Sequence, residues 1–162
     1  MPSCQSSLSE LQPEFVSLAQ LPHRLNQVVD WHQQQWPQES ADQRRQKLQS
    51  HLKGDSFPIT LLALQNDELL GAVSLVQYRR LGGLSPSYWL ANAVVAPNLR
   101  RRGLGAKLVI AAEAYARQHN LSELYLYATD QVRFYERLQW QPLRQKTFKG
   151  ELATIMRRRW DS

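Results

Sequence analysis

The sequence predicts a fold of the α/β class, with strand and helix patterns alternating along 162 residues. Short β-rich apolar runs recur from one end of the chain to the other, which favours strands. Between them, apolar residues recur three and four positions apart, as on the buried face of a helix. The apolar run at residues 88–97 passes directly into a glycine turn and then into such a helical segment. This order is typical of a sheet covered by helices.

The elements are expected in the order β, α, α, β, β, β, α, β, α, β, β. The predicted strands are residues 14–19, 58–64, 69–76, 88–97, 123–127, 141–148 and 151–160, and the predicted helices are residues 21–36, 40–52, 104–119 and 131–138. Ser40 opens a capping pattern with Gln43, Asn120 is a plausible helix stop, and Asp130 can cap the last helix. Hairpin turns are expected at residues 66–68 and 149–150.

Length and composition limit the organisation of the chain. One domain is expected to span residues 1–162, with a flexible start at residues 1–12. The 20 Lys and Arg residues exceed the 14 Asp and Glu residues, and the net charge of +6 favours anionic ligands. Cys4 is the single cysteine, which excludes an internal disulfide framework. Neither an export signal nor an apolar run of membrane-spanning length is present, so a cytoplasmic location is expected.

Residues 88–107 carry the strongest functional signal. Pro97 and Asn98 end the apolar strand, and three arginines with Gly103-Leu104-Gly105 then lead into a helix. Backbone N–H groups at a glycine-rich helix start, aided by the helix dipole, form an anion site. The Walker A pattern is missing, and Leu108 occupies the third glycine position of the dinucleotide pattern. The structural alternative is a glycine turn flanked by solvated arginines.

The spacing Arg100-x-x-Gly103-x-Gly105 resembles the pyrophosphate loop of the GCN5-related N-acetyltransferases, the GNAT superfamily. The strand end at residues 95–97 and the later Phe-Tyr-Glu-Arg-Leu-Gln-Trp at residues 134–140 are similar to the same family at matching distances. This resemblance implies a mixed central sheet flanked by helices, over residues 14–160. It also implies direct transfer of an acetyl group from acetyl-CoA to a primary amine. Residues 130–135 are similar to bacterial members of unassigned substrate.

The resemblance also implies which residues bind acetyl-CoA. Backbone groups of the strand would hold the pantetheine arm like an added strand, and amides of the loop would hold the pyrophosphate. Arginine side chains and Lys107 would add positive charge. The implied contacts are Ala93, Val94, Val95, Arg100, Arg101, Arg102, Gly103, Leu104, Gly105 and Ala106. For Arg101, a solvated position is an equal alternative.

Tyr135 stands where the family often keeps its general acid. A phenol with a pKa of about 10 is protonated at neutral pH and can give a proton to a thiolate. The alternative role for Tyr135 is packing beside the cofactor. Many members also carry a Glu on the strand, but residues 90–93 read Leu-Ala-Asn-Ala. Asn92 can hold a water in its place, and Glu123 and Asp130 are further candidates for a base.

Several alternatives stay open from the sequence. Trp31, His32 and Trp36 either line an acceptor cleft or anchor a helix to the sheet. The four histidines lack metal-ligand spacing, so no metal site is expected. A GNAT fold that binds acyl-CoA without catalysis is one competing function. A nucleic-acid-binding module is another, prompted by the arginine runs, although no recognised binding motif accompanies them. Expected partners are acetyl-CoA and an amine acceptor, without a membrane, in a monomer or homodimer.

Overall fold

The computed structural model describes residues 11–53, 57–78, 86–100 and 102–160. Seven strands and four α-helices lie within these residues, in the predicted order. The strands are β1 (Glu14–Ser17), β2 (Ile59–Gln65), β3 (Glu68–Tyr78), β4 (Ser87–Val95), β5 (Glu123–Ala128), β6 (Gln141–Phe148) and β7 (Glu151–Arg159). The helices are α1 (Leu25–Gln35), α2 (Ala41–Gln49), α3 (Leu104–Gln118) and α4 (Val132–Arg137). Most of the predicted flexible start lies outside the described residues.

Local signals set most of the helix ends. The Ser40 hydroxyl accepts the Gln43 N–H, and the Gln43 side chain accepts the Ser40 N–H, which confirms the capping box. Asn120 ends α3 with φ of 65°, as predicted for a helix stop. The prediction that Asp130 caps α4 is wrong, because Gln131 occupies the cap position and makes no side-chain cap bond.

The strands form one sheet in the order β1-β2-β3-β4-β5-β7-β6. All neighbouring strands are antiparallel except β4 and β5, which are parallel. Within the described residues these two strands pair at a single position, Trp89 opposite Tyr125. The strands therefore diverge towards their carboxyl ends, and the β4 backbone beyond Trp89 has no ladder partner on β5.

A bulge interrupts β4 within this unpaired stretch. Opposite β3, the register moves from Ala91 paired with Ser74 to Val94 paired with Ala72, so β4 contains one extra residue. Asn92 takes up this residue with φ of 54°. A bulge bends its strand and redirects neighbouring backbone groups, which here are those of Ala93 and the residues after it.

Helix α3 covers one face of the sheet. Its buried residues Leu104, Leu108 and Ala112 are among the apolar positions of the predicted helical pattern, and Ala116 continues their four-residue spacing. Gly71 of β3 allows the helix to approach closely, because a Cβ there would lie 3.1 Å from a Leu108 methyl. The apolar core therefore continues from the sheet directly into the first turns of α3.

The opposite face of the sheet contains a buried polar cluster. His51 Nδ1 lies 2.8 Å from the Thr60 hydroxyl, which lies 2.8 Å from the Ser74 hydroxyl. His32 of α1 is 2% exposed, and the Arg44 guanidinium donates to the Trp36 carbonyl nearby. Burial lowers the pKa of His32 to about 4, with a further lowering by the charge of Arg44. Burial also lowers the pKa of His51 to about 4.

These histidines should make folding stability depend on pH. In the unfolded chain they bind protons near a pKa of about 6.5, whereas the folded chain resists protonation until about pH 4. Their contribution is therefore complete above pH 6.5 and is lost as the pH falls towards 4. We expect a loss on the order of a few kcal/mol in urea unfolding across this range. His51→Asn, whose amide can still bond to Thr60, should show a shallower slope; an unchanged slope would contradict the assignment.

Candidate active site

A cleft of about 820 Å³ opens where β4 and β5 diverge. The α3 N-terminus forms its floor, and the segment from β5 into α4 forms its second wall. Its lining residues are Gln35, Ala93, Val94, Val95, Leu99, Arg100, Gly103, Leu104, Gly105, Ala106, Leu108, Val109, Thr129, Asp130, Gln131, Val132, Arg133, Phe134 and Tyr135. Eight of the ten predicted acetyl-CoA contacts are in this set, together with the predicted acid Tyr135. Residues about 40 positions apart in the chain thus meet in one cleft.

The β4 wall presents unpaired backbone. Val94 and Val95 pair with β3 on one side, and Ala93 lies within the bulge. All three face the cleft on the other side, since β5 has already diverged. Free strand edges of this kind accept an extended ligand as an added strand. This geometry suits the amides of a pantetheine arm, as the sequence predicted. The bulge at Asn92 directly precedes this edge.

The floor of the cleft is the first turn of α3. The first backbone N–H groups of a helix lack intrahelical acceptors, and the residues from Gly103 to Ala106 all line the cleft. Gly103 has φ of 79°, a conformation that disfavours L side chains. Gly105 differs, because a Cβ there would make only an ordinary contact, 3.6 Å from Cζ of Phe134. The backbone conformation therefore favours a glycine at 103, whereas nothing in the fold favours one at 105.

The predicted arginines are not equivalent. Arg100 lines the cleft and donates to the Gln35 side chain at 3.3 Å, which joins the α1 end to the loop. Arg102 is half-buried and is not among the lining residues. Arg101 lies outside the described residues, so its predicted contact stays a prediction. Of the predicted arginine contacts, only that of Arg100 has support from the cleft geometry.

Tyr135 lies in the second wall, in a largely apolar setting. Its ring centroid is 5.0 Å from that of Phe134 and 6.1 Å from that of Trp140, both edge-on. Burial raises the pKa of Tyr135, and the negative charge of Asp130 raises it further. The phenol therefore keeps its proton over a wider pH range than in water. This is the protonation state that a proton donor requires.

A buried carboxylate supports this wall from behind. Glu113 of α3 is 9% exposed and accepts the Trp140 indole N–H at 3.1 Å. Arg158 of β7 lies 3.4 Å from the same carboxylate. Burial raises the pKa of Glu113, opposed by these two partners. The Trp140 backbone N–H also donates to the Tyr135 carbonyl at 3.0 Å, so α3 and β7 together fix the end of α4.

Asn92 does not line the cleft, although it adjoins Ala93, which does. Its side chain is exposed, and its φ of 54° lies in a region that Asn adopts more readily than most residues. The bulge alone therefore accounts for Asn at this position. The predicted water-holding role of Asn92 stays a prediction.

The two other candidate bases, Asp130 and Glu123, lie at opposite ends of β5. Asp130 lines the cleft close to Tyr135. Glu123 starts β5 at the opposite end, where it accepts from the Tyr125 hydroxyl at 2.6 Å and from Arg159 at 3.1 Å. The suggestion that Glu123 lies close enough to act as a base is therefore wrong. The two acids flank opposite ends of the six-residue strand β5, about 20 Å apart.

The aromatic residues of α1 act as anchors. Trp31 and His32 are buried, and Trp36 contacts His32 edge-on with the ring centroids 5.7 Å apart. None of the three lines the cleft; α1 contributes Gln35 instead. Anchoring of the helix to the sheet, one of the two alternatives from the sequence, therefore describes Trp31 and His32.

A model of the acetyltransferase (GNAT) family matches residues 25–140. The chain belongs to this family. The match confirms the resemblance drawn from the loop and the Phe134-Tyr135 motif, and it includes the whole cleft. Among the described residues, no helix is long and apolar enough to cross a membrane, and no cluster of three His, Cys, Asp or Glu side chains can hold a metal ion.

Similar proteins and solved structures agree with the assignment to the GNAT family. N-alpha-acetyltransferase 80 of Mus musculus is 32% identical over 124 residues, which are 74% of this chain and 38% of that protein. The match therefore spans only 38% of the length of that relative. An aminoglycoside 6'-N-acetyltransferase complexed with coenzyme A has a TM-score of 0.73 at 19% identity, covering 90% of this chain and 96% of that chain. Arabidopsis thaliana Naa50 in complex with the bisubstrate analogue CoA-Ac-MVNAL has a TM-score of 0.69 at 16% identity, covering 93% and 100%. These two likenesses establish the fold.

Gly105→Ala should separate a ligand role from a structural role of the second glycine. We expect the melting temperature to be unchanged or slightly raised, because the added methyl makes an ordinary contact and alanine favours helices. Affinity for acetyl-CoA, measured by calorimetry, should fall because the methyl occupies the floor of the cleft. Unchanged affinity in Gly105→Ala would mean that no ligand approaches this backbone.

Gly103→Ala is the matched variant at the first glycine. Its added methyl would meet no atom within 4 Å, so its cost comes from backbone conformation alone. We expect destabilisation of about 1 kcal/mol, from holding an L side chain in the left-handed region. Urea unfolding measures it, and a stability equal to wild type would contradict the conformational argument.

Proposed function

We propose that this GNAT chain transfers the acetyl group of acetyl-CoA to the primary amine of an acceptor, by direct attack of the amine on the thioester. The observation that carries the proposal is the cleft itself. It places an unpaired strand edge, the N-terminus of a 15-residue helix and a protonated phenol around one volume. The strand edge suits an extended arm that carries amides, and the helix N-terminus suits a pyrophosphate. The phenol suits a leaving thiolate that needs a proton.

The proposed chemistry assigns one task to each wall. The β4 edge at Ala93–Val95 holds the arm and offers an amide to the thioester oxygen, where negative charge develops during attack. As the amine nitrogen bonds to the carbonyl carbon, the carbon–sulfur bond breaks. Tyr135 donates its phenolic proton to the departing sulfur, and the amine loses one proton to solvent. The Tyr135 phenolate then regains a proton from solvent before the next turnover. No covalent enzyme intermediate is needed.

The α-amine of a peptide is the acceptor class we favour. The Mus musculus relative is named as an N-alpha-acetyltransferase, and the Arabidopsis thaliana structure holds an analogue that joins CoA to a peptide sequence. The predictions of a single domain over residues 1–162, a cytoplasmic location and a monomer or homodimer stay predictions.

Binding of acyl-CoA without catalysis is the second candidate, and the composition of the cleft favours it in one respect. Asp130 is the single carboxylate among the described lining residues, and β4 carries none. Release of thiol from acetyl-CoA, measured against a panel of amines and peptides, distinguishes the two functions. Stabilisation by acetyl-CoA without turnover on any acceptor would favour the binding module.

Tyr135→Phe should lower the single-turnover rate while leaving affinity for acetyl-CoA nearly unchanged. The substitution keeps the ring packing against Phe134 and Trp140 and removes only the proton donor. A loss of about 10²–10⁴-fold is typical of general acid catalysis. Because the pKa of Tyr135 is raised above its usual value of about 10, the wild-type rate should not fall through its ionisation between pH 7 and about pH 9. If Tyr135→Phe has the wild-type single-turnover rate, Tyr135 is not the proton donor and serves only in packing.

Asn92→Gly and Asn92→Val should differ strongly. Glycine adopts the positive φ of the bulge without strain, whereas a β-branched residue does not. We expect Asn92→Gly to retain most of the single-turnover rate and Asn92→Val to lose it together with acetyl-CoA affinity. If both variants fold and lose the same fraction of the rate, the loss comes from the missing Asn92 amide, which then has a chemical role.

A further inference from the structure

Glu113 is a buried acid that has no task in the proposed chemistry. It lies in the third turn of α3. The other buried residues of this helix are apolar, namely Leu104, Leu108, Val109, Ala112 and Ala116. Burying a carboxylate is costly, and an apolar side chain of similar volume would avoid the cost. Packing of α3 therefore does not require a carboxylate at this position.

Each carboxylate oxygen of Glu113 contacts a different part of the fold. Oε2 accepts the indole N–H of Trp140 at 3.1 Å, and Oε1 lies 3.4 Å from Nε of Arg158. Trp140 follows α4 in the chain, and Arg158 belongs to β7. A buried indole N–H needs an acceptor, and a charged acceptor forms a stronger bond than a neutral one. Glu113 thus joins α3, β7 and the segment after α4 at one point.

Trp140 contacts Tyr135 in two ways. Its backbone N–H donates to the Tyr135 carbonyl at 3.0 Å. Its ring lies edge-on to the Tyr135 ring, with the centroids 6.1 Å apart and the planes at 65°. Trp140 is buried in a close-packed core, so it cannot shift without disturbing its neighbours. The bond from the indole N–H to Glu113 therefore limits where the Tyr135 ring can lie.

Helix α4 by itself is too short to hold Tyr135 in place. Its six residues, Val132–Arg137, are all at least partly exposed. Gln131 at its start makes no side-chain cap bond with the described residues. Isolated helices of this length are unstable in water, so α4 depends on contacts with its neighbours. The orientation of Tyr135 is therefore set from outside its own helix.

Proton transfer depends strongly on the placement of the donor. A general acid must lie within hydrogen-bond reach of the atom that it protonates, which here is the departing sulfur. A displacement of about 1 Å can cost about 10²-fold in rate, even when its cause lies far from the reacting atoms. Glu113 is not among the described residues that line the cleft. Loss of its bond to Trp140 should therefore slow the chemical step and leave acetyl-CoA binding intact.

We propose that Glu113 is a positioning residue for acetyl transfer, which holds the Tyr135 phenol at the departing sulfur through its bond to the Trp140 indole. This inference rests on the proposed proton donation by Tyr135. Glu113 neither gives nor takes a proton in the reaction. Its charge strengthens the bond to the indole, and Arg158 holds the carboxylate in the orientation that this bond requires.

Glu113→Gln and Glu113→Leu test the role of the acceptor oxygen. Glutamine keeps an oxygen for the Trp140 indole, whereas leucine is of similar size and has no acceptor. We expect Glu113→Gln to stay near the wild-type single-turnover rate and Glu113→Leu to lose about 10- to 100-fold. The loss should not exceed that of Tyr135→Phe, which lacks the proton donor. Affinity for acetyl-CoA, measured by calorimetry, should be unchanged in both variants. The acceptor in these assays is the peptide with a free α-amine that gives the fastest thiol release with the wild-type chain.

Trp140→Phe removes the same hydrogen bond from the other side and keeps the ion pair between Glu113 and Arg158. Its single-turnover rate should fall to a similar extent as that of Glu113→Leu. Trp160→Phe is the matched control, because it removes an indole bond of 2.8 Å to the Leu121 carbonyl at a residue outside the lining of the cleft. The control should keep the wild-type rate. Equal slowing in Trp140→Phe and the control would make the loss a general effect of packing and overturn the inference.

The double variant Glu113→Leu/Tyr135→Phe decides whether Glu113 acts through the phenol. When two residues serve the same step, removing the second costs nothing further. We expect the double variant to be no slower than Tyr135→Phe alone. Trp140→Phe/Tyr135→Phe makes the same comparison if Glu113→Leu does not fold.

The outcomes separate this inference from the proposed function. A slower double variant, or a lower melting temperature with the wild-type rate in Glu113→Leu, would overturn the positioning role while proton donation by Tyr135 stands. If Tyr135→Phe itself keeps the wild-type rate, the proposed donor is wrong and the role of Glu113 falls with it. If the wild-type chain acetylates no peptide or amine although acetyl-CoA raises its melting temperature, the proposed function fails as well.

Discussion

The single point of pairing between β4 and β5 is the constraint on which the rest of this GNAT structure depends. In a complete parallel ladder, the backbone of Ala93–Val95 would be bonded to β5 and closed to a ligand. Because pairing stops at Trp89, the sheet opens instead. Buried backbone polar groups need partners. The backbone N–H and C=O groups of an unpaired strand edge in the middle of a sheet therefore lack partners, and an extended ligand can form hydrogen bonds with them.

The surrounding structure holds this opening in place. Helix α3 packs through Leu108 against β3, where Gly71 permits the close approach, and its first turn faces the cleft. On the other side, Glu113 connects α3 with Trp140 and Arg158. A buried carboxylate is costly to desolvate, and its two partners offset this cost only while α3, the end of α4 and β7 keep their positions. The geometry of Tyr135 thus depends on contacts made well outside the cleft.

The two faces of the sheet differ in chemical character. On the α3 face, oriented backbone groups and Arg100 face the cleft, and these suit a phosphate-rich ligand. On the opposite face, the rings of Trp89, Tyr127 and Phe148 stack across β4, β5 and β6.

Local information in the sequence determined the order of the elements, the Ser40 capping box, the stop at Asn120, the loop from Arg100 to Gly105 and the position of Tyr135. Each depends on residues a few positions apart, whose propensities and spacing act whatever the rest of the chain does. Tertiary structure decided the rest. The register shift between β3 and β4 placed Asn92 in a bulge with positive φ, and packing of α1 against the sheet buried Trp31 and His32. Register is set by pairing between distant segments, and a shift of one residue moves a side chain to the other face, so periodicity within one segment cannot determine it.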